Sequence, residues 1–265
     1  MTAAGLAVGA GVVAAVWALG GPGPAVVVGS AGAGAVWWAI ACCYRFPIGA
    51  MRARPVSEAQ APRLHAIVRE LSARGRLPVP GVYVSPTDAV TALSAGRGPR
   101  RAVLCFTEGA LRVLDDRELR GVVAHELAHI RRGDTLPGSV AGWVAAGLWR
   151  VGVRGPLWSG AARVLRRVAA TSEREYAADV AAARLTGDPM AVAGALRTVH
   201  AAGAAVAFPA DADVLGYAHL MVVRPTVAGA TASANFTGPR GATSAGHPPI
   251  DERVARLERL AGYRR

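Results

Sequence analysis

The sequence predicts a mainly α-helical protein with one small antiparallel β-sheet, preceded by a helical hairpin that crosses a membrane. Three observations predict it. Residues 1–44 contain no Asp, Glu, Lys, Arg or His. Apolar residues recur at helical spacing in several later segments. Only two short runs, 79–84 and 101–106, have the composition of strands, and a Gly/Pro/Arg turn at 96–100 lies between them. With 265 residues and 52% hydrophobic content, the chain has ample apolar surface for a sizeable core, which excludes a disordered protein.

The N-terminal hairpin rests on length. Its apolar runs, 3–19 and 25–44, reach about 26 and 30 Å at a helical rise of about 1.5 Å per residue, close to the hydrocarbon thickness of a bilayer. Gly20-Gly21-Pro22-Gly23-Pro24 forms the turn between them. A cleaved signal peptide would need a basic start, and the first basic residue is Arg45. Arg45, Arg52 and Arg54 follow the second run while the turn carries no charge. The positive-inside bias therefore places both ends of the hairpin, and the domain at 45–265, on the cytoplasmic side of the cell membrane. Trp37, Trp38 and Tyr44 suit an interfacial belt.

Beyond the hairpin, residues 57–74 carry Leu64, Ile67, Val68 and Leu71 on one helical face, ended by Gly75. The two strand-like runs follow, then a short helix at 107–114. Asp115 and Glu118 have the spacing of a capping box, opening a helix whose periodic run 119–132 stops at Gly133. The run 136–149 is apolar and interrupted by glycine, and a weaker apolar stretch spans 155–165. Fourteen residues are too few to cross a bilayer upright. The pair 136–165 reads either as a membrane-associated hairpin with snorkelling arginines or as a buried helix pair. Helices at 171–185, 189–205 and 251–261 complete the chain, with a Gly/Ala/Ser/Thr-rich loop at 226–246.

Charge and cysteines narrow the partners. Thirty arginines and no lysine give a net charge of +12, which favours contact with an anionic lipid bilayer. The arginines are scattered and form no basic stripe with interleaved aromatics, so nucleic acid is not an expected partner. Cys42, Cys43 and Cys105 build no disulfide framework and no C-x-x-C knuckle, which fits a reducing compartment.

The chemistry lies in His125-Glu126-Leu127-Ala128-His129. On a helix, the two histidines stand one turn apart and face one spot, with the glutamate beside it, as a zinc hydrolase site requires. Burying two imidazoles there without a partner would be costly. A third ligand is needed, and the 172–179 segment offers Glu175 and Asp179 one turn apart. One carboxylate can bind the metal while the other accepts from a ligand histidine. Glu173 competes, but its own i+4 position is Ala177. The bland alternative is a Ser172-x-x-Glu175 capping box with Asp179 in solvent.

Together these residues resemble the HtpX-like membrane zinc metallopeptidases, the family that also contains the CaaX prenyl endopeptidases. The resemblance spans nearly the whole chain, through Glu108-Gly109-Ala110-Leu111, HELAH followed by Gly133-Asp134, the Glu175/Asp179 helix and Gly246-His247-Pro248-Pro249-Ile250-Asp251-Glu252-Arg253. It implies a zincin-like domain with one Zn²⁺ per chain, held by His125, His129 and Glu175. It implies Glu126 as general base, Asp179 behind a ligand histidine, and His247 and Arg253 on the substrate side of the cleft, either one facing the developing oxyanion. It implies an endopeptidase acting on membrane or misfolded polypeptides in membrane-protein quality control. Asp88-Ala89-Val90 departs from the family's Asn-Ala-Phe beside the strand that receives substrate. Two other classes share these features: a sensor-type membrane metallopeptidase in signalling, and a zinc-stabilised scaffold that cleaves nothing. The His-Pro-Pro ending argues against the first and an intact Glu126 against the second.

Overall fold

Asp115 opens the central helix as its spacing predicts. Its carboxylate accepts from the Glu118 N–H, and the Glu118 side chain accepts in turn from the Asp115 N–H, so two orphan donors are satisfied reciprocally. At the far end Gly133 turns left-handed, at φ 74°, and stops the helix. The computed structural model describes residues 44–150, 171–206, 217, 220–223 and 248–263, with isolated positions before Tyr44. In order they form α1 (Arg45–Ala50), β1 (Arg54–Pro55), α2 (Pro62–Arg74), β2 (Gly81–Ser85), β3 (Ala92–Gly96), β4 (Ala102–Thr107), α3 (Glu108–Val113), α4 (Asp116–Arg132), α5 (Thr135–Arg150), α6 (Ser172–Thr186), α7 (Pro189–Ala205) and α8 (Ile250–Leu260). Helix α2 starts at Pro62, later than its periodicity suggests. The Ser57 N–H donates to Gln60 Oε1 at 2.8 Å in a local turn, and proline, lacking an N–H, suits a first helical position.

The sheet differs from expectation. It has the order β1-β2-β4-β3, and β2 runs parallel to β4, so the sheet is mixed and not antiparallel. The turn at 96–100 does close a hairpin, but its partner for β4 is β3, registered from Ala92↔Phe106 to Gly96↔Ala102. Segment 86–91 carries the chain past the place that β4 then fills, leaving β3 at the edge. Ala-Leu-Ser-Ala-Gly has no β-branched residue, which is why composition hides this strand.

Both sheet faces are covered. On one, Val82, Leu104 and Phe106 pack with Leu64 and Leu71 of α2 and Val123 and Leu127 of α4. On the other, Leu93, Ala95, Val103 and Cys105 meet Ile48 of α1, Met51 and Met221. Each fully buried aliphatic side chain contributes about 1.5–3 kcal/mol, so α4, packed on α2, α6, α7 and β3, is the element the core holds most firmly. Helices α4 and α7 approach backbone to backbone: a Cβ at Gly121 would stand 2.8 Å from the Ala191 carbonyl oxygen. Phe46 of α1 meets Trp143 of α5 with ring centroids 5.8 Å apart.

The chain divides into two units, Met1–Cys42 and Cys43–Arg265. Most of the hairpin expected over 1–44 lies outside the described residues, as do 151–165 and 226–246. Among the described residues no helix is long and apolar enough to cross a membrane. The isolated positions described between 14 and 41 are helical, and Val26, Val27, Trp37 and Trp38 among them are exposed.

Candidate metal centre

His125 and His129 stand on the buried face of α4, their rings edge to face at 82° and their Nε2 atoms 3.1 Å apart. Glu175 meets them from α6. Its Oε2 lies 3.7 Å from His125 Nε2 and its Oε1 3.6 Å from His129 Nε2. One donor atom from each residue can thus share a single ion, all within 4.8 Å of one another. These separations bracket the edge of about 3.3 Å that a tetrahedron with bonds of about 2.0–2.1 Å requires. Two imidazoles and one carboxylate leaving a fourth position open are the donor set of a catalytic zinc site.

Local capping decides which glutamate turns inward. Thr171, not Ser172, caps α6, its hydroxyl accepting from the Arg174 N–H at 3.3 Å. Glu175 is therefore free of the capping-box role and is buried, while Glu173 is exposed. Tyr176 turns outward, its hydroxyl donating to Glu252 at 2.6 Å and its ring carrying the Arg256 guanidinium at 3.5 Å.

Behind each histidine stands an aspartate. Asp179 Oδ1 lies 3.0 Å from His125 Nδ1, off the line of a good hydrogen bond. Asp134 Oδ2 lies 3.2 Å from His129 Nδ1. Asp134 was not legible as part of the site, because only the left-handed Gly133 brings it back onto α4. The resemblance puts Arg253 on the substrate side of the cleft, and the structure shows what the side chain touches. It is 0% exposed, donates from Nε and Nη2 to both oxygens of Asp179 at 2.7 and 2.6 Å, and from Nη1 to the Val222 carbonyl at 3.0 Å. Glu175 Oε2 also lies 3.1 Å from Nη1, so two carboxylates and a carbonyl surround the guanidinium. Arg253 thus ties α8 to Asp179 of α6. His247 lies outside the described residues.

Electrostatics follow burial and partners. Burial opposes the Asp179 carboxylate, but Arg253 outweighs it and holds the group below the usual carboxylate range. Burial also works against a charged His129, yet Asp134, Glu175 and Glu126 together raise its pKa. Glu126 is pushed up by burial, with His125, His129 and Ser94 opposing. Neither Glu126 oxygen has a well-formed hydrogen bond among the described residues, which is unusual for a buried carboxylate and fits a group whose partner is a ligand in the cleft.

That cleft lies between Ser94 of β3, the metal-facing helices, Thr135 and the segment 220–222. Its outer wall is the chain itself. Val222 donates its N–H to the Ala92 carbonyl at 3.1 Å, and Met221 bridges Leu93 at the free edge of β3. In the divergent Asp88-Ala89-Val90 stretch, Ala89 and Val90 are buried and Asp88 pairs with Arg112 at 2.8 Å on the surface.

A helix carrying two histidines and a glutamate, joined by a second helix that supplies a carboxylate, defines the metalloprotease class. Residues 58–261 match the model of Peptidase family M48. The chain belongs to that family, as an HtpX-like member. It is 39% identical to the Protease HtpX homolog of Kineococcus radiotolerans, over 91% of this chain and 86% of that one. It is 40% identical to the Protease HtpX homolog of Arthrobacter sp. (strain FB24), over 82% and 79%. The corresponding homolog of Thermodesulfovibrio yellowstonii is 35% identical over 79% of each chain. No solved structure matches.

Proposed function

We propose that this chain is a zinc-dependent endopeptidase of the cell membrane, with His125, His129 and Glu175 as ligands of one Zn²⁺ and Glu126 as general base. The observation that carries the reading is the buried Glu126 carboxylate, without a well-formed partner among the described residues, beside those three donors. A structural metal site has no use for such a group, so the scaffold reading is not favoured. When bound, zinc supplies Lewis acidity, acidifying a water and polarising the scissile carbonyl. Glu126, with its affinity for protons raised by burial, takes the proton of the attacking water and passes it to the leaving amine. Asp179 and Arg253 hold His125 in place, and His247 is the proposed hydrogen-bond donor to the developing oxyanion.

Substrates are polypeptides, membrane or misfolded ones, in keeping with a role in membrane-protein quality control. The uncharged stretch 1–44 and its exposed Trp37 and Trp38 support anchoring in a lipid bilayer, and the arginines that follow support a cytoplasmic domain at 45–265. The test is Glu126→Gln, measured for zinc content and for cleavage of an unfolded protein. The variant should keep stoichiometric zinc and lose at least about 100-fold in turnover. Near wild-type turnover would overturn the mechanism.

A further inference from the structure

We infer that the Gly133-Asp134 corner is a positioning device for His129, making Asp134 the counterpart of Asp179 on the second histidine. The inference rests on the zinc reading above, and its observations are geometric. Asp134 returns to one residue twice. Its backbone N–H donates to the His129 carbonyl at 3.1 Å, and its Oδ2 lies 3.2 Å from His129 Nδ1. The return depends on Gly133, whose N–H donates to the Ile130 carbonyl at 3.2 Å and whose φ of 74° reverses the chain in a conformation that a Cβ disfavours.

The carboxylate is itself held. Arg132 Nε lies 3.2 Å from Oδ2 and Arg174 Nε 3.5 Å from Oδ1, and the Asp134 side chain is only 13% exposed. Asp134 therefore links the end of α4 to the start of α6, the two helices that carry the donor set. On the other histidine the same logic recurs with different parts: Asp179 faces His125 Nδ1 and is fixed by Arg253. An aspartate that accepts from Nδ1, as Asp134 does at His129, favours the tautomer that protonates Nδ1 and leaves the Nε2 lone pair for the ion. Both Nε2 atoms then point at one place with Glu175. Asp134 touches neither water nor substrate in this role and acts only through His129.

The experiment is zinc affinity, by competition with a chromophoric chelator, for the full chain in detergent and its Asp134→Asn and Asp134→Glu variants. Asparagine keeps the shape and removes the charge. It should weaken zinc about 10- to 100-fold while the metal-free protein melts where the wild type does, and the visible spectrum of the cobalt-substituted variant should change. Asp134→Glu, which restores the charge, should recover part of the loss. Equal affinity and an unchanged cobalt spectrum in Asp134→Asn would overturn the inference and leave the zinc reading standing. So would a loss of affinity matched by an equal loss of metal-free stability, since that marks a merely structural role. A wild-type protein that holds no zinc would overturn the zinc reading, and the inference with it.

Discussion

Two arginine–aspartate forks in this molecule have nearly the same geometry and opposite surroundings. Behind the cleft, Arg253 reaches both oxygens of Asp179 at 2.7 and 2.6 Å, with side chains 0% and 4% exposed. On the outside, Arg117 of α4 reaches both oxygens of Asp188, which caps α7, at 2.6 and 2.8 Å, with side chains 60% and 35% exposed. Each fork lowers the carboxylate's pKa, against burial at Asp179 and by the hydrogen bond from Arg117 at Asp188. Geometry alone therefore says little about what an ion pair is worth. Solvent decides, because water replaces a lost partner on the surface and cannot do so in the interior.

The sharpest way to break the comparison is Arg253→Met. Truncating one member of a buried charge cluster leaves Asp179 and Glu175 uncompensated, so stability should fall by about 3–5 kcal/mol in chemical denaturation. Acid is the next lever. The folded pKa of Asp179 is lowered, so its contribution is complete above the unfolded value of about 3.9 and disappears as pH falls through the lowered folded value. Denaturation midpoints collected downward from pH 5 should show this loss below about pH 4, and Arg253→Met should flatten it. The smallest effect belongs to the outer fork: Arg117→Met should change stability by about 1 kcal/mol or less, in the same assay. Equal losses from the two arginine variants would erase the distinction drawn here.

What the sequence made legible is what neighbours along the chain control. The capping box Asp115/Glu118, the stop at Gly133 and the inward face of His125 and His129 all follow from spacing within one helix. Glu175 was separable from Glu173 by its i+4 partner, for the same reason. The rest depends on residues far apart in the chain. Arg253 meets Asp179 across 74 positions, and no periodicity tells whether a guanidinium on α8 faces the cleft or its back wall. The parallel pairing of β2 with β4 depends on β3, an alanine-rich strand that becomes one only by lying against β4 and being covered on both faces. Asp134 sits close to His129 in sequence, yet its direction is set by one left-handed dihedral angle, which composition does not report.

Gly121 has no chemistry, yet it lies one turn before His125 on the same helix, where α4 leans on the backbone of α7. Even a methyl group there would push against the Ala191 carbonyl and rotate or lift the helix that carries the donor set. Packing alone thus reserves position 121 for glycine, although nothing about the residue is reactive.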